Sequence, residues 1–160
     1  MTARIITKAD VERVLSVINQ EMEGGSIDEL HVQQFAAFVL FGAYTGQRPY
    51  STISQLKVGQ FREAFEHEKP TVRVEAAQDK IRMAHYVPLH PRLRKPLEVL
   101  CESRGSGERM FAFVSFYKWA RQQKIPLSRC KQYFIPSDLR KFAEQWGDVI
   151  GWNESNRSYV

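Results

Sequence analysis

The chain has 160 residues, of which 43% are hydrophobic and 26% are charged, a composition that fits one globular domain with a sizeable core. Lys and Arg number 23 against 18 Asp and Glu, so the net charge is +5, which is compatible with a polyanionic partner. No apolar run approaches the roughly 20 residues that span a bilayer, and the N-terminus lacks a hydrophobic signal region, so we expect a cytoplasmic protein without membrane contact.

Two helices are predicted before residue 46. Thr7 and Asp10 form a capping box, and apolar residues follow at helical spacing, which predicts a first helix in "TKADVERVLSVI". The stretch "GGSIDEL" ends that helix. Ser26 with Glu29 repeats the capping box and predicts a long buried helix that runs to about Tyr44.

A turn that carries Arg48 follows the second helix. Gly46 can adopt the left-handed cap conformation and Pro49 cannot extend a helix, so the helix is expected to end here. Arg48 is therefore anchored in the core and points out of a turn, as a rigid guanidinium suited to phosphate. The other interpretation is that Arg48 caps the last carbonyls of its own helix.

The next elements predict a β-hairpin. "TVRVEA" alternates Val72 and Val74 with polar residues, and "RMAHYVPL" predicts a second strand that closes at Pro88. The residues between them, "AQDK", predict a turn that carries Lys80. Taken by itself, Lys80 would be an ordinary solvated lysine of a hairpin turn.

Three helices are predicted after the hairpin. Pro91 leads the first, "FAFVSFYKWARQQ" is aromatic-rich, and Ser137 caps the last, which carries Arg140 in its first turn. Several aromatic residues lie in or just before the middle helix: Phe111, Phe113, Phe116, Tyr117 and Trp119. Their helical spacing favours a core over a surface on which bases stack. The whole chain thus predicts a mainly α protein with one small antiparallel sheet, an α+β fold.

Three cations stand out by position, because Arg48, Lys80 and Arg140 each lie at a junction between elements. Positive charges there can converge on one phosphate without being buried, and the N-terminus of the last helix adds its free amides. In phosphoryl transfer, fixed guanidinium groups stabilise the non-bridging oxygens, and a lysine on a turn can give a proton to the leaving oxygen. Taken alone, Arg140 would be an ordinary surface residue of an amphipathic helix.

No pattern in the sequence indicates a metal site. The four histidines show neither HxxxH nor HExxH spacing: His31, His67, His85 and His90. A metal-dependent nuclease of the ExK type needs an acidic residue two positions before Lys80, where Gln78 stands. Cys101 and Cys130 lack metal-ligand spacing and are expected to stay reduced.

In order along the chain, these stretches resemble the catalytic domain of the tyrosine recombinases, the phage integrase family, most closely its archaeal and archaeal-virus members. "YTGQRP" is similar to the TGxR box, which would make Arg48 the first catalytic arginine. The hairpin in "QDKIRMAHYVPLHPRL" would supply Lys80 as the catalytic lysine. "PSDLRKFAEQW" is similar to the HxLR box, with Arg140 as the second catalytic arginine. The resemblance spans nearly the whole chain, so we expect residues 1–160 to form a single domain.

The sequence departs from the family pattern at three positions. Ser137 stands in the histidine position of HxLR, where it can hydrogen-bond phosphate but cannot titrate near neutral pH. Ser51 stands where the family often has an acidic residue. The family's nucleophilic tyrosine lies on a later helix, whereas Tyr159 follows Arg140 by only 19 residues, in a polar tail. We therefore expect that Tyr159 is not the nucleophile, and that the chain lacks both the nucleophile segment and the N-terminal arm that clamps DNA.

The resemblance implies site-specific DNA recombination or integration, in which strands are cut and rejoined through a phosphotyrosyl intermediate without metal or nucleotide cofactor. The implied partners are double-stranded DNA and further copies of the protein, assembled as a tetramer on DNA in the full-length form. A non-catalytic DNA-binding module derived from an integrase is the alternative function. A helical regulator without recombinase ancestry is a third.

Overall fold

Six α-helices and one pair of antiparallel strands make up the regular structure of residues 4–25 and 27–146, which the computed structural model describes. The helices are α1 (Lys8–Glu23), α2 (Glu29–Thr45), α3 (Val58–Phe65), α4 (Pro91–Cys101), α5 (Phe113–Gln123) and α6 (Asp138–Trp146), and the strands are β1 (Thr71–Val74) and β2 (His85–Pro88). The predicted mainly α, α+β fold class is confirmed. In the described ranges, no helix is both long and apolar enough to cross a bilayer. Tyr159 lies outside these ranges.

The two N-terminal helices begin through different caps. The Thr7 side chain accepts the backbone N–H of Asp10, and the Asp10 carboxylate accepts that of Thr7, so the first predicted capping box is confirmed. The second box, Ser26 with Glu29, is wrong for α2, because Asp28 is its N-cap and accepts a backbone N–H of the first turn. An aspartate directly before the helix also neutralises its positive end. Ser26 itself lies outside the described residues.

Helix α2 forms the centre of the core. Its apolar side chains are buried on more than one face, and α1, α4 and α6 all pack against it. On one side, the rings of Phe38 and Phe116 lie 4.8 Å apart, and those of Phe38 and Phe111 meet edge to face at 5.6 Å. Burial of each such ring contributes about 1.5–3 kcal/mol. The prediction that the aromatic segment is core holds for Phe111, Phe116 and Trp119, while Tyr117 is exposed.

The β-hairpin is confirmed, with shorter strands than predicted. Strand β1 pairs antiparallel with β2, so that Thr71 faces Pro88 and Val74 faces His85. Val74 is buried under the sheet, as the alternating pattern predicts. This small sheet packs on α3 through β1.

The connection between the strands covers residues 75–84 and is longer than the predicted "AQDK" turn. The expectation that the second strand starts at Arg82 is wrong, because Arg82 has a left-handed backbone with φ of 61°. The Gln78 side chain causes the longer connection. It accepts the backbone N–H of Glu75 at 3.0 Å and donates to the carbonyl of Gln55 at 2.9 Å, and so holds a short 3₁₀ turn.

Candidate functional site

The turn after α2 fixes the backbone of Arg48. Gly46 ends the helix with φ of 69°, a left-handed conformation that favours glycine, and its N–H binds the carbonyl of Gly42. The carbonyl of Arg48 then accepts two backbone N–H groups, from Thr52 at 3.0 Å and Ile53 at 2.9 Å. The Arg48 side chain is half-buried and makes no hydrogen bond or ion pair within residues 4–25 and 27–146. Among those residues, no partner competes with an anion for its guanidinium.

Helix α6 brings Arg140 to the same turn. Nη1 of Arg140 donates to the carbonyl of Gly46 at 3.0 Å, and its Nε lies 3.1 Å from a carboxylate oxygen of Glu144, one turn further along the helix. Arg140, and not Arg48, therefore binds the carbonyl at the end of α2. Because Gly46 precedes Arg48 by only two residues, Arg140 reaches the turn that carries Arg48. We call this part of the protein, with Gly46, Arg48 and Arg140, the arginine corner.

Close packing between α2 and α6 makes this approach possible. A Cβ atom on Gly42 would lie 2.9 Å from Cδ1 and 3.1 Å from Cβ of Leu139. A Cβ atom on Gly46 would lie 3.1 Å from that of Ala143. Larger side chains at the two glycines would push α6 outward, and Arg140 would move with it.

The first turn of α6 is held by a buried ion pair. Asp138 is fully buried, and its two oxygens accept Nε and Nη2 of Arg4 at 2.6 and 2.9 Å. Hydrogen bonding to this carboxylate, together with its charge, raises the pKa of the Arg4 guanidinium. Asp138 also accepts the backbone N–H of Ile135. Ser137 precedes the helix as predicted, but its exposed hydroxyl makes no hydrogen bond in the described structure, so the expected cap bond is not observed.

Lys80 lies in the strand connection and is exposed, without an ion pair in the described part of the chain. The hairpin is tied to the arginine turn by His85, the first residue of β2. Its Nε2 lies 3.1 Å from Oε1 of Gln47, the residue before Arg48, and its Nδ1 lies 3.0 Å from the carbonyl of Met83. The turn is thus contacted by α6 on one side and by β2 on another. Lys80 is carried on the connection that leads into β2.

Sequence reasoning missed the side chains that hold Arg140 and the turn of Arg48. Glu144 could have been found, because it stands four residues after Arg140 on the same helix. Gln47 and His85 gave no signal, since their contact joins residues 38 positions apart.

An open cleft of about 690 Å³ lies beside Tyr50 and Phe113. None of the four predicted site residues lines it: Arg48, Lys80, Ser137 and Arg140.

The described residues contain no group of three or more His, Cys, Asp and Glu side chains that could hold a metal ion. At the corner, the Arg140 guanidinium binds the carbonyl of Gly46, two residues before Arg48, and lies beside the carboxylate of Glu144. Such a corner can bind an oxyanion and stabilise charge that develops on it.

A solved structure shares this fold. The crystal structure of XerA recombinase matches 99% of the chain with a TM-score of 0.61 at 13% sequence identity. The chain spans 56% of the length of that recombinase chain. No family model matches the sequence, and no curated protein matches it. The similarity is one of fold, and the recombinase-like fold expected from the sequence is confirmed.

The close packing of α2 and α6 predicts that Gly42→Val destabilises the protein. Its side chain would overlap Leu139, so we expect the free energy of unfolding to fall by about 2 kcal/mol in denaturant titrations. Gly107→Val is the matched control, because no atom lies within 4 Å of a Cβ at this exposed turn position. We expect that variant to stay within about 0.5 kcal/mol of the wild type. Equal stabilities of the two variants would contradict close helix packing.

Proposed function

We propose that this chain is the catalytic domain of a site-specific DNA recombinase that cuts and rejoins DNA through a tyrosine nucleophile. The observation that carries the proposal is the 3.0 Å hydrogen bond from Arg140 to Gly46, which joins the second arginine to the turn of the first. The fold similarity to XerA recombinase supports the same class of protein. Residues 1–160 are proposed to act as one domain.

In this proposal, Arg48 and Arg140 bind the non-bridging oxygens of the phosphate that is cut. Negative charge grows on these oxygens in the transition state, and guanidinium groups fixed in advance stabilise it. The lack of a carboxylate beside Arg48 in the described structure favours this role, because its charge is not already neutralised. Ser137 would add a neutral hydrogen bond from the start of α6, in place of a titrating group.

Lys80 is proposed to be the acid for the leaving group. The tyrosine oxygen attacks phosphorus while its own proton passes to water, the bond from phosphorus to the 5′ oxygen breaks, and the Lys80 ammonium gives that oxygen a proton. Rejoining reverses each step, so the neutral amine takes the proton back from the attacking 5′ hydroxyl. The exposed position of Lys80 on a long connection suits a group that must reach DNA. No metal or cofactor is needed for these steps to balance.

The nucleophile is proposed to be a tyrosine other than those described here. Five tyrosines lie in the described ranges: Tyr44, Tyr50, Tyr86, Tyr117 and Tyr133. None of them hydrogen-bonds to Arg48 or Arg140 in that part of the structure. Tyr159 remains disfavoured by its short separation from Arg140 in sequence.

We propose that the full-length protein works as a homotetramer on double-stranded DNA in the cytoplasm.

A DNA-binding module without catalysis is the second candidate. It is favoured by the exposed Ser137 in the histidine position of the HxLR box, since a serine cannot act as an acid or base near neutral pH. Such a module would use the same arginine corner to hold phosphate. Its DNA would remain uncut.

DNA binding tests the partner that both candidates share. We expect the protein to bind a duplex of about 30 base pairs, with an affinity that falls steeply with salt as counterions are released. Arg48→Gln should weaken binding by about 1–3 kcal/mol, because a charge-assisted phosphate contact is lost. Fluorescence anisotropy at several salt concentrations measures both effects.

The matched control for that experiment is Lys69→Gln, which removes one charge at an exposed position after α3. It should change the affinity by less than twofold. Binding that ignores salt, or equal losses in the two variants, would argue against a phosphate site at Arg48.

Cleavage by an added small nucleophile separates the two candidates. A site that activates phosphate should let hydrogen peroxide stand in for the tyrosine, so labelled duplexes of randomised sequence should be nicked in the presence of protein. Lys80→Ala should slow nicking by about 100-fold, because the leaving oxygen loses its acid. Sequencing gels measure the cut ends, and Arg48→Gln gives the background.

Intact DNA with the wild-type protein would favour the binding module. A covalent protein–DNA band without peroxide that disappears in Tyr159→Phe would show that the nucleophile has been assigned wrongly.

A further inference from the structure

The net positive charge of the chain arises from one segment. Residues 109–137 contain six basic side chains and no Asp or Glu: Arg109, Lys118, Arg121, Lys124, Arg129 and Lys131. The rest of the chain holds 17 basic and 18 acidic side chains, so this segment accounts for the whole net charge of +5. It covers α5 and the connection that leads to α6. Charge separated in this way indicates a surface for a polyanion.

A cleft of about 470 Å³ lies within this segment, between the C-terminal end of α5 and residues 131–135. Its basic lining residues are Arg4, Arg121, Lys124 and Lys131, and none of the acidic residues in the described ranges lines it. Lys124 and Lys131 are exposed and make no ion pair in the described structure. Arg121 contacts only the ring and hydroxyl of Tyr117 there, so it keeps its full charge.

The carboxylate that Arg4 binds does not compensate the other cations of the cleft. Asp138 is fully buried and is already paired through both oxygens with Arg4. The pair is neutral as a unit, which leaves Arg121, Lys124 and Lys131 as three like charges around one opening. Their mutual repulsion falls when an anion enters.

The cleft and the arginine corner lie on opposite sides of α6. Asp138 faces Arg4, which lines the cleft, whereas Arg140 faces Gly46, and two residues along a helix differ by about 200° around its axis. A helix with its side chains is about 10–12 Å wide. The major groove of a DNA duplex has a similar width of about 12 Å between its two backbones. One duplex can therefore place a phosphate on each side of the start of α6.

We propose that this basic cleft binds a backbone phosphate of duplex DNA, a second contact separate from the phosphate held by Arg48 and Arg140. The inference rests on the proposed function, because it takes double-stranded DNA as the partner. The second contact fixes the orientation of the duplex on the protein and carries no base specificity.

A charge-matched pair of double variants tests the cleft. Lys124→Gln with Lys131→Gln should weaken binding to a 30-base-pair duplex by about tenfold and lower the slope of log affinity against log salt by about 1.8. The control, Lys69→Gln with Lys95→Gln, removes the same charge from exposed positions away from the cleft. It should stay within about twofold of the wild type. Equal losses in the two variants would overturn the proposal.

Three further outcomes are distinguishable. A wild-type protein that does not bind duplex DNA would overturn the proposed function and the cleft with it. Loss of binding in Arg48→Gln, with wild-type affinity in the Lys124 and Lys131 variant, would overturn the cleft alone. Single-stranded DNA or duplex RNA that binds as tightly as the DNA duplex would overturn the assignment to the two backbones of a DNA groove.

Discussion

The hydrogen bond from Arg140 to the carbonyl of Gly46 is the contact on which the candidate site depends. A helix that ends in a left-handed glycine leaves that carbonyl without a partner inside the helix, and Arg140 of α6 supplies the partner at 3.0 Å. The bond forms only because Gly42 and Gly46 lack side chains where α6 crosses α2. Two small residues thus set the separation of two helices, and through it the relation between the two arginines.

The charged side chains around α6 have different roles. Both carboxylate oxygens of Asp138 accept hydrogen bonds from Arg4 in a buried, bidentate pair. This geometry offsets the cost of burying the two charges, and it fixes the start of α6. Glu144 steadies Arg140 from the next turn, at the exposed side. Arg48 has no such neighbour in the described structure, and Arg121, Lys124 and Lys131 of the basic cleft have none there either. Arg4 fixes the start of α6 through Asp138, whereas Arg140 and the uncompensated cations are proposed to bind DNA.

Local patterns predicted most of the fold, and long-range contacts account for what they missed. Helical spacing and the glycine at position 46 were sufficient for α2 and its end, because both signals lie within a few residues. The hydrogen bonds from Arg140 to Gly46 and from Arg4 to Asp138 join residues 94 and 134 positions apart. The spacing of apolar residues along the sequence cannot predict such distant contacts. The long hairpin connection was not predicted for the same reason, because its 3₁₀ turn depends on the contact of Gln78 with the distant Gln55. Arg48 and Arg140 could be named from their motifs, but the contact between Gln47 and His85 that holds the turn of Arg48 could not.

A double-mutant cycle tests most directly whether Arg48 and Arg140 hold one phosphate. Duplex affinity is measured for Arg48→Gln, Arg140→Gln and the double variant, with denaturant titrations to confirm that each is folded. Two side chains on one phosphate should be coupled by at least about 0.5 kcal/mol. A second cycle between Arg48 and Lys124, on opposite sides of α6, should be additive. Additive losses for Arg48 and Arg140 would contradict a shared phosphate.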